Sequence, residues 1–284
     1  MLMLSLLLTG VAVGAMVGAF DSDDSDESTG SPEPSDERTP IQRDGEVGEL
    51  ISGNDSDEQI FGTNGPDILS GQDGDDSLRG RDGIDFLLGG DGEDSLYGQT
   101  GTDELFGGNG DDELHGGRGD DVLYGAAGND TLYGGPGDDD LVGADITNRD
   151  LEIADRHDDR TPSSPLRFEV PTTAEANVLD GGEGDDTLLL GEGDVATGGE
   201  GDDDFDVGHW VDDEDNVPLV TDFNEEDDTI SVLYPAGETP PTITLGSENN
   251  ETLVYADGQL VLRVQGDGGP FFASDVVLSA VTLT

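Results

Sequence analysis

The sequence contains no cysteine, which excludes disulfides, thiolate metal sites and a cysteine nucleophile and leaves the chain unharmed by an oxidising compartment. Basic residues are also scarce: 10 stand against 68 acids, a formal net charge of −58. That balance excludes nucleic-acid binding, which needs Lys and Arg to neutralise phosphates. Aromatic residues make up 5% and hydrophobic residues 32% of the 284 positions, too little for a large conventional core. Something other than apolar burial must hold a compact state and offset the repulsion among its carboxylates. Bound cations meet both needs.

Catalytic signatures are missing as well. His115, His157 and His209 are isolated, and neither a His-Glu-x-x-His helix nor a Gly-x-Ser-x-Gly elbow occurs, which speaks against a zinc protease or a lipase. Acids are so dense that pairs such as Asp75-Asp76 carry no positional information for glycosidase chemistry. No apolar segment beyond the first twenty residues would serve a pore former. The expectation is a chain that is not an enzyme.

Residues 1–20 are apolar and uncharged in side chain from Met1 to Ala19, nearly long enough as a helix at about 1.5 Å per residue to cross a hydrocarbon layer of about 30 Å. Two readings stay open: a signal peptide cut after Gly18 and Ala19, or a membrane anchor in which Gly10, Gly14 and Gly18 recur every four residues. Both place the rest of the chain outside the cytoplasm, secreted or held at the membrane. Residues 21–52 are rich in Asp, Glu, Ser and Pro and read as a disordered acidic linker, since they bury too little to offset their ordering entropy.

From Gly53 a nine-residue period sets in, and a period must be read before local structure. Glycine opens each unit, a second glycine follows three residues later, an acid two beyond that and an aliphatic two further on, as in Gly71, Gly74, Asp76 and Leu78. The sixth-position acids are Asp67, Asp76, Asp85, Asp94, Asp103, Asp112, Asp121, Asp130 and Asp139, preceded by the degenerate Glu58. The array covers 53–144, an insertion with Pro162, Pro165 and Pro171 covers 145–176, and a second block at 177–206 restates the pattern with Asp186 and Asp203. Between these two acids lies a variant stretch, Gly191 to Thr197. Residues 207–284 turn to alternating β-branched and aromatic residues, with a hairpin predicted around Asp257-Gly258.

Glycines at the first and fourth positions permit a tight, strained turn, and the sixth-position Asp closes it with a carboxylate. Oxygen donors at this density, without His or Cys among them, suit Ca²⁺, which accepts six to eight oxygens in flexible geometry, better than Mg²⁺. Three residues such as Ser77-Leu78-Arg79 then form a minimal strand with its middle side chain inward. If two units make one coil, Asp67, Asp85, Asp103, Asp121 and Asp139 line one edge and Asp76, Asp94, Asp112 and Asp130 the other, stacked at the strand spacing of about 4.8 Å. Carboxylates at that distance repel unless cations lie between them, so folding and metal binding become one event.

The pattern Gly-Gly-x-Gly-x-Asp-x-Leu-x resembles the RTX family of haemolysin-type calcium-binding repeats. The resemblance implies an all-β fold, a right-handed parallel β-roll with a small C-terminal antiparallel β module. It implies several Ca²⁺ ions held by Asp67, Asp76, Asp85, Asp94, Asp103, Asp112, Asp121, Asp130, Asp139, Asp186 and Asp203 with turn carbonyls, and export of an unfolded chain that folds outside. Val220-Thr-Asp-Phe-Asn-Glu-Glu-Asp-Asp-Thr-Ile230 and the apolar end around Val276 to Leu283 resemble that family's C-terminal modules and secretion signals. The expected role is an extracellular binding or structural module, with an extracellular polysaccharide or cell surface as partner and Trp210, Tyr234 and Tyr255 as aromatics that could stack on sugars. The alternative is a non-catalytic accessory or remnant module of an RTX protease, lipase or epimerase.

Overall fold

The computed structural model of the chain describes residues 48–143, 176–208, 211, 216–266 and 271–281, with the backbone alone of the strands at 41–42, 147–150 and 167–169. The apolar residues 1–20, the acidic residues 21–40, His157, His209 and Trp210 lie outside the described residues. Among the described residues no helix is long and apolar enough to cross a membrane.

Every nonapeptide contributes one strand. Residues 21–52, read from sequence as a linker, supply β1 (Ile41–Gln42) and β2 (Leu50–Ser52), and the first array supplies β3 (Gln59–Phe61), β4 (Ile68–Asp73), β5 (Ser77–Asp82), β6 (Phe86–Asp91), β7 (Ser95–Thr100), β8 (Glu104–Asn109), β9 (Glu113–Arg118), β10 (Val122–Ala127), β11 (Thr131–Pro136) and β12 (Asp140–Val142). Within the insertion β13 (Thr147–Asp150) pairs antiparallel with β14 (Arg167–Glu169). The second block gives β15 (Val178–Glu183), β16 (Thr187–Leu190), β17 (Val195–Glu200) and β18 (Asp204–Gly208). The C-terminal residues give β19 (Leu219–Phe223), β20 (Thr229–Pro235), β21 (Ile243–Glu248), β22 (Glu251–Ala256), β23 (Gln259–Gly266) and β24 (Val276–Val281).

Odd and even strands separate into two sheets, β1-β3-β5-β7-β9-β11-β15-β17-β19-β23-β22-β21 and β2-β4-β6-β8-β10-β12-β16-β18-β20-β24. The chain therefore crosses from one sheet to the other at each turn, and neighbours within a sheet are one coil, eighteen residues, apart: Leu78 registers with Leu96 and Leu69 with Leu87. This is a parallel β-roll. The strands are longer than the minimal three residues. Stacked turns pair their own backbones as well, Gln72 with Gly90 and Asp73 with Asp91, so β4 to β11 each run six residues, into the following turn.

The eighth-position side chains of both sheets meet in a single narrow core, from Ile51 and Ile60 through Leu141 to Leu188, Phe205 and Ile230. Alternation puts positions seven and nine on the outside. The insertion does not interrupt the roll. Leu132 registers with Leu179 and Leu141 with Leu188, so the two blocks form one continuous stack. Beyond it β19 and β20 add a further parallel strand to each sheet, and the antiparallel component is the meander β21-β22-β23. Its second turn is the predicted Asp257-Gly258, with φ of 52° and 91°, the left-handed pair that a two-residue hairpin loop requires. Tyr234 and Tyr255 are half-buried in β20 and β22.

Candidate metal centre

The sixth-position acids form two hydrogen-bonded ladders, one along each edge of the roll. On one edge Asp67 N donates to Asp85 Oδ1 at 2.7 Å, Asp85 N to Asp103 Oδ1 at 2.9 Å, Asp103 N to Asp121 Oδ1 at 2.7 Å and Asp121 N to Asp139 Oδ1 at 2.7 Å. The ladder continues across the insertion, Asp139 N to Asp186 Oδ1 at 2.8 Å, and on to Asp203 and Asp228. On the other edge Glu58, Asp76, Asp94, Asp112 and Asp130 are linked the same way at 2.7 to 2.9 Å. All eleven residues singled out by spacing, Asp67 to Asp139, Asp186 and Asp203, sit on these ladders, and each is at most 3% exposed.

In eight of these carboxylates one oxygen is thus spoken for and the other is not. Oδ2 of Asp76, Asp85, Asp94, Asp103, Asp112, Asp121, Asp139 and Asp186 is buried without a hydrogen bond. An unpaired anionic oxygen out of water is strongly disfavoured. Each points into a cradle kept open by the first-position glycine of its own turn. A Cβ placed on Gly98 would collide with Asp103 Oδ2 and stand 2.7 Å from the carbonyl oxygen of Gly116, one coil on. Carboxylate and carbonyl oxygens therefore converge on a space that only glycine leaves free. Among the described residues no three His, Cys, Asp or Glu side chains converge on a common point, so a cation here has to complete its shell from main-chain carbonyls. Such an all-oxygen donor set fits Ca²⁺.

Electrostatics points the same way. Burial pushes the carboxyls of Asp76, Asp94, Asp103 and Asp203 up to about 6, those of Asp85 and Asp121 to about 7, and those of Asp112, Asp139 and Asp186 to about 8. The amide donated by the preceding rung works in the opposite direction, and at Asp112, Asp139 and Asp186 the neighbouring carboxylates add to the rise. Without a cation the ladder favours protons.

The ends of the ladders differ from the middle. Asp67 has both oxygens engaged: Oδ1 accepts from Glu49 N at 2.6 Å and Oδ2 from Thr63 N at 2.5 Å. Glu58 Oε2 accepts from Asn54 N at 3.1 Å. Three rungs escape the nonapeptide pattern. Asn177 Oδ1 accepts from Asp130 N at 2.7 Å, and Asn177 N donates to Asp194 Oδ1 at 2.9 Å. An amide in place of the acid hides the first. A turn shortened by one residue, leaving 17 between Asn177 and Asp194, hides the second, and Gly191 N at 2.7 Å fills the second oxygen of Asp194. Asp228 lies 25 residues beyond Asp203, past an irregular connection. Only the glycines around Gly191 and the carboxylates near Asp228 hint at these in sequence.

The model of the RTX calcium-binding nonapeptide repeat (4 copies) matches residues 52–87, 79–114, 88–123, 115–145 and 172–194; such repeats bind calcium. No curated protein gives a significant match. Among solved structures, extracellular lipase LipA from Serratia marcescens is 18% identical at a TM-score of 0.23, over 82% of this chain and 40% of that one. The AlgE6R3 subunit of the Azotobacter vinelandii mannuronan C5-epimerase is 15% identical at a TM-score of 0.14, over 81% of this chain and 78% of that one. The chain thus spans well under half the length of the lipase.

Proposed function

Residues 52–145 and 172–194 belong to the RTX calcium-binding nonapeptide repeat family, and from that premise we propose that the chain is an exported, non-catalytic module whose roll folds when several Ca²⁺ ions enter the two Asp ladders. The observation that carries this reading is the row of buried, unpartnered Oδ2 atoms, each in a glycine cradle and, at Asp76, Asp94, Asp103, Asp112, Asp139 and Asp186, beside a main-chain carbonyl. Asp76, Asp85, Asp94, Asp103, Asp112, Asp121, Asp130, Asp139, Asp186 and Asp203 would hold the ions, with Oδ1 positioning each carboxylate on the rung before it. Bound Ca²⁺ supplies the positive charge that turns repulsion between rungs into cross-linking. With one core aliphatic per nine residues, the apo array cannot offset that repulsion and stays unfolded. Folding then waits for a calcium-rich exterior, which fits an exported chain whose apolar residues 1–20 act as signal peptide or anchor. Asp67 stands apart, because its own turn satisfies it.

The full chain, freed of metal, is expected to show a disordered circular-dichroism spectrum, and millimolar Ca²⁺ to produce β signal cooperatively where equal Mg²⁺ does not. A folded spectrum in chelator at pH 8, or equal folding in Mg²⁺, would overturn the reading.

A further inference from the structure

One face of the roll departs from the acidity of the rest. Three registered rows of outward side chains lie on this face, two across β3, β5, β7, β9 and β11 and a third, with Arg81, Gln99 and Gly117, across β5, β7 and β9; they hold a single acid, Glu113, in a chain with 68. Their central row is Phe61, Arg79, Tyr97, His115 and Tyr133. The Arg79 guanidinium lies 5.5 Å from the Phe61 ring centre and 5.1 Å from that of Tyr97. His115 is stacked between Tyr97 at 4.9 Å and Tyr133 at 4.7 Å. Beside them Arg81 holds its charge 5.8 Å over Phe61, and the next row along carries Arg118 at the end of β9 and Asp82 at the end of β5, with Thr100 between them. Of the four arginines whose side chains the structure describes, only Arg263 is elsewhere.

Arg81 adds a second, independent observation. Its φ is +91°, in the left-handed region, where the equivalent residue of β7 is Gln99, at +83°, and those of β9 and β11 are Gly117 and Gly135. Gln72 has the same φ on the other sheet, and there the side chain has structural employment, donating to Ser52 Oγ at 2.7 Å and to Gly53 O. A bulky charged residue kept at a strained position and turned outward argues for a use outside the fold.

We propose that this face binds an extended acidic polysaccharide, with Arg79 and Arg81 forking the carboxylates of its uronate residues; the proposal rests on the calcium-folded roll described above. Arginine matches carboxylate geometry with two parallel donors, and stacking between rings fixes the fork of Arg79 in advance. The rings lie face to face, so they offer edges and phenol hydroxyls, not open faces, and the serines and glutamines of the flanking rows add hydrogen-bonding groups suited to sugar hydroxyls. The five strands are interior to their sheet, so no edge is free there for the strand addition by which extended peptides dock. A uronate chain carries at most one charge per ring, against one per about 1.7 Å of duplex nucleic acid. It therefore meets less repulsion from the acidic edges.

The test is binding of the full chain, in calcium, to hyaluronan, with dextran and polyglutamate as controls, alongside the double variant Arg79→Gln, Arg81→Gly. The expected result is retention by hyaluronan alone, weakened at least about tenfold for each arginine lost. The variant should reach β signal at a calcium midpoint no higher than the parent, since glycine relieves the strain at 81. Equal binding to dextran or polyglutamate, or retention that survives in the variant as calcium bridging would, overturns the proposal while leaving calcium-driven folding intact. A chain that gains no β signal in calcium overturns both.

Discussion

Asp103 separates the two jobs assigned to a rung, because Asn and Ala remove different parts of it. Its Oδ1 accepts the Asp85 amide at 2.9 Å, while its Oδ2 is buried without a partner. Asn keeps the acceptor and removes the charge, as Asn177 does one coil beyond Asp130. Burial raises the Asp103 carboxyl from 3.8 to about 6, a shift of roughly 2 units at about 1.4 kcal/mol each. With allowance for residual solvent screening, the metal-free fold should gain about 2 kcal/mol at pH 7 when the charge goes. Ala removes the same charge but strands the buried Asp85 amide, at about 1–3 kcal/mol. In chelator, the concentration of trimethylamine N-oxide that half-folds the protein should therefore be lower for Asp103→Asn than for the parent, with Asp103→Ala close to the parent. In calcium the order reverses against the parent: both variants lose a ligand, and both calcium midpoints should rise several-fold. If Asp103→Asn is less stable than the parent in chelator, or folds at the parental calcium midpoint, the carboxylate is a hydrogen-bonding rung and nothing more.

Three further outcomes follow from the same geometry. The ladder carboxyls are raised in the fold, to between about 6 and 8, so the stability linked to them is fully present below about 3.8 and lost as pH rises through 6 to 8. Metal-free chain should accordingly gain β signal when taken from pH 8 to 5, and the calcium midpoint should rise over the same range as protons compete; a flat response in chelator would contradict the assigned burial. Gly98→Ala should block folding in calcium, because its Cβ meets Asp103 Oδ2 and the Gly116 carbonyl, whereas Gln99→Gly, relieving a φ of +83°, should stabilise by about 1 kcal/mol in a calcium-saturated urea titration. Glu58→Ala should shift the calcium midpoint less than Asp103→Ala does, since Asn54 and Ser56 already satisfy Glu58.

Much of this was legible in the sequence because a nine-residue period leaves little freedom. Once Leu78 and Leu96 must point inward and Asp76 and Asp94 must share an edge, two sheets and two ladders are the arrangement that fits. What was hidden depended on departures from the period. Asp194 keeps its rung although its turn is one residue short, because the strand register, Val178 on Val195, absorbs the deletion. The parallel course of β19, β20, β23 and β24 was equally hidden: their alternation reads as β structure, but which strand each lies beside is decided by stacking on an existing coil and not by local pattern. The unpartnered oxygens and the left-handed Arg81 exist only in three dimensions.

The insertion gives the sharpest test of that continuity. Rungs Asp139 and Asp186 are 47 residues apart where regular rungs are 18 apart, so 29 residues are extra. Removing 146–174, which takes out β13 and β14, restores the spacing, and changing Glu175 to Gly supplies the fourth-position glycine that the turns at Gly128, Gly137 and Gly184 have. Asn177 Nδ2 still reaches the carbonyl of Gly143, 2.6 Å away, because both residues remain. Shortening the connection lowers its closure entropy only logarithmically, by about 1 kcal/mol. The deletion should therefore keep the β signal and its cooperativity and move the calcium midpoint slightly down. If the insertion instead braces the roll, the shortened chain will melt in two steps, with the strands from β15 onward lost first, and the picture of one uninterrupted ladder fails.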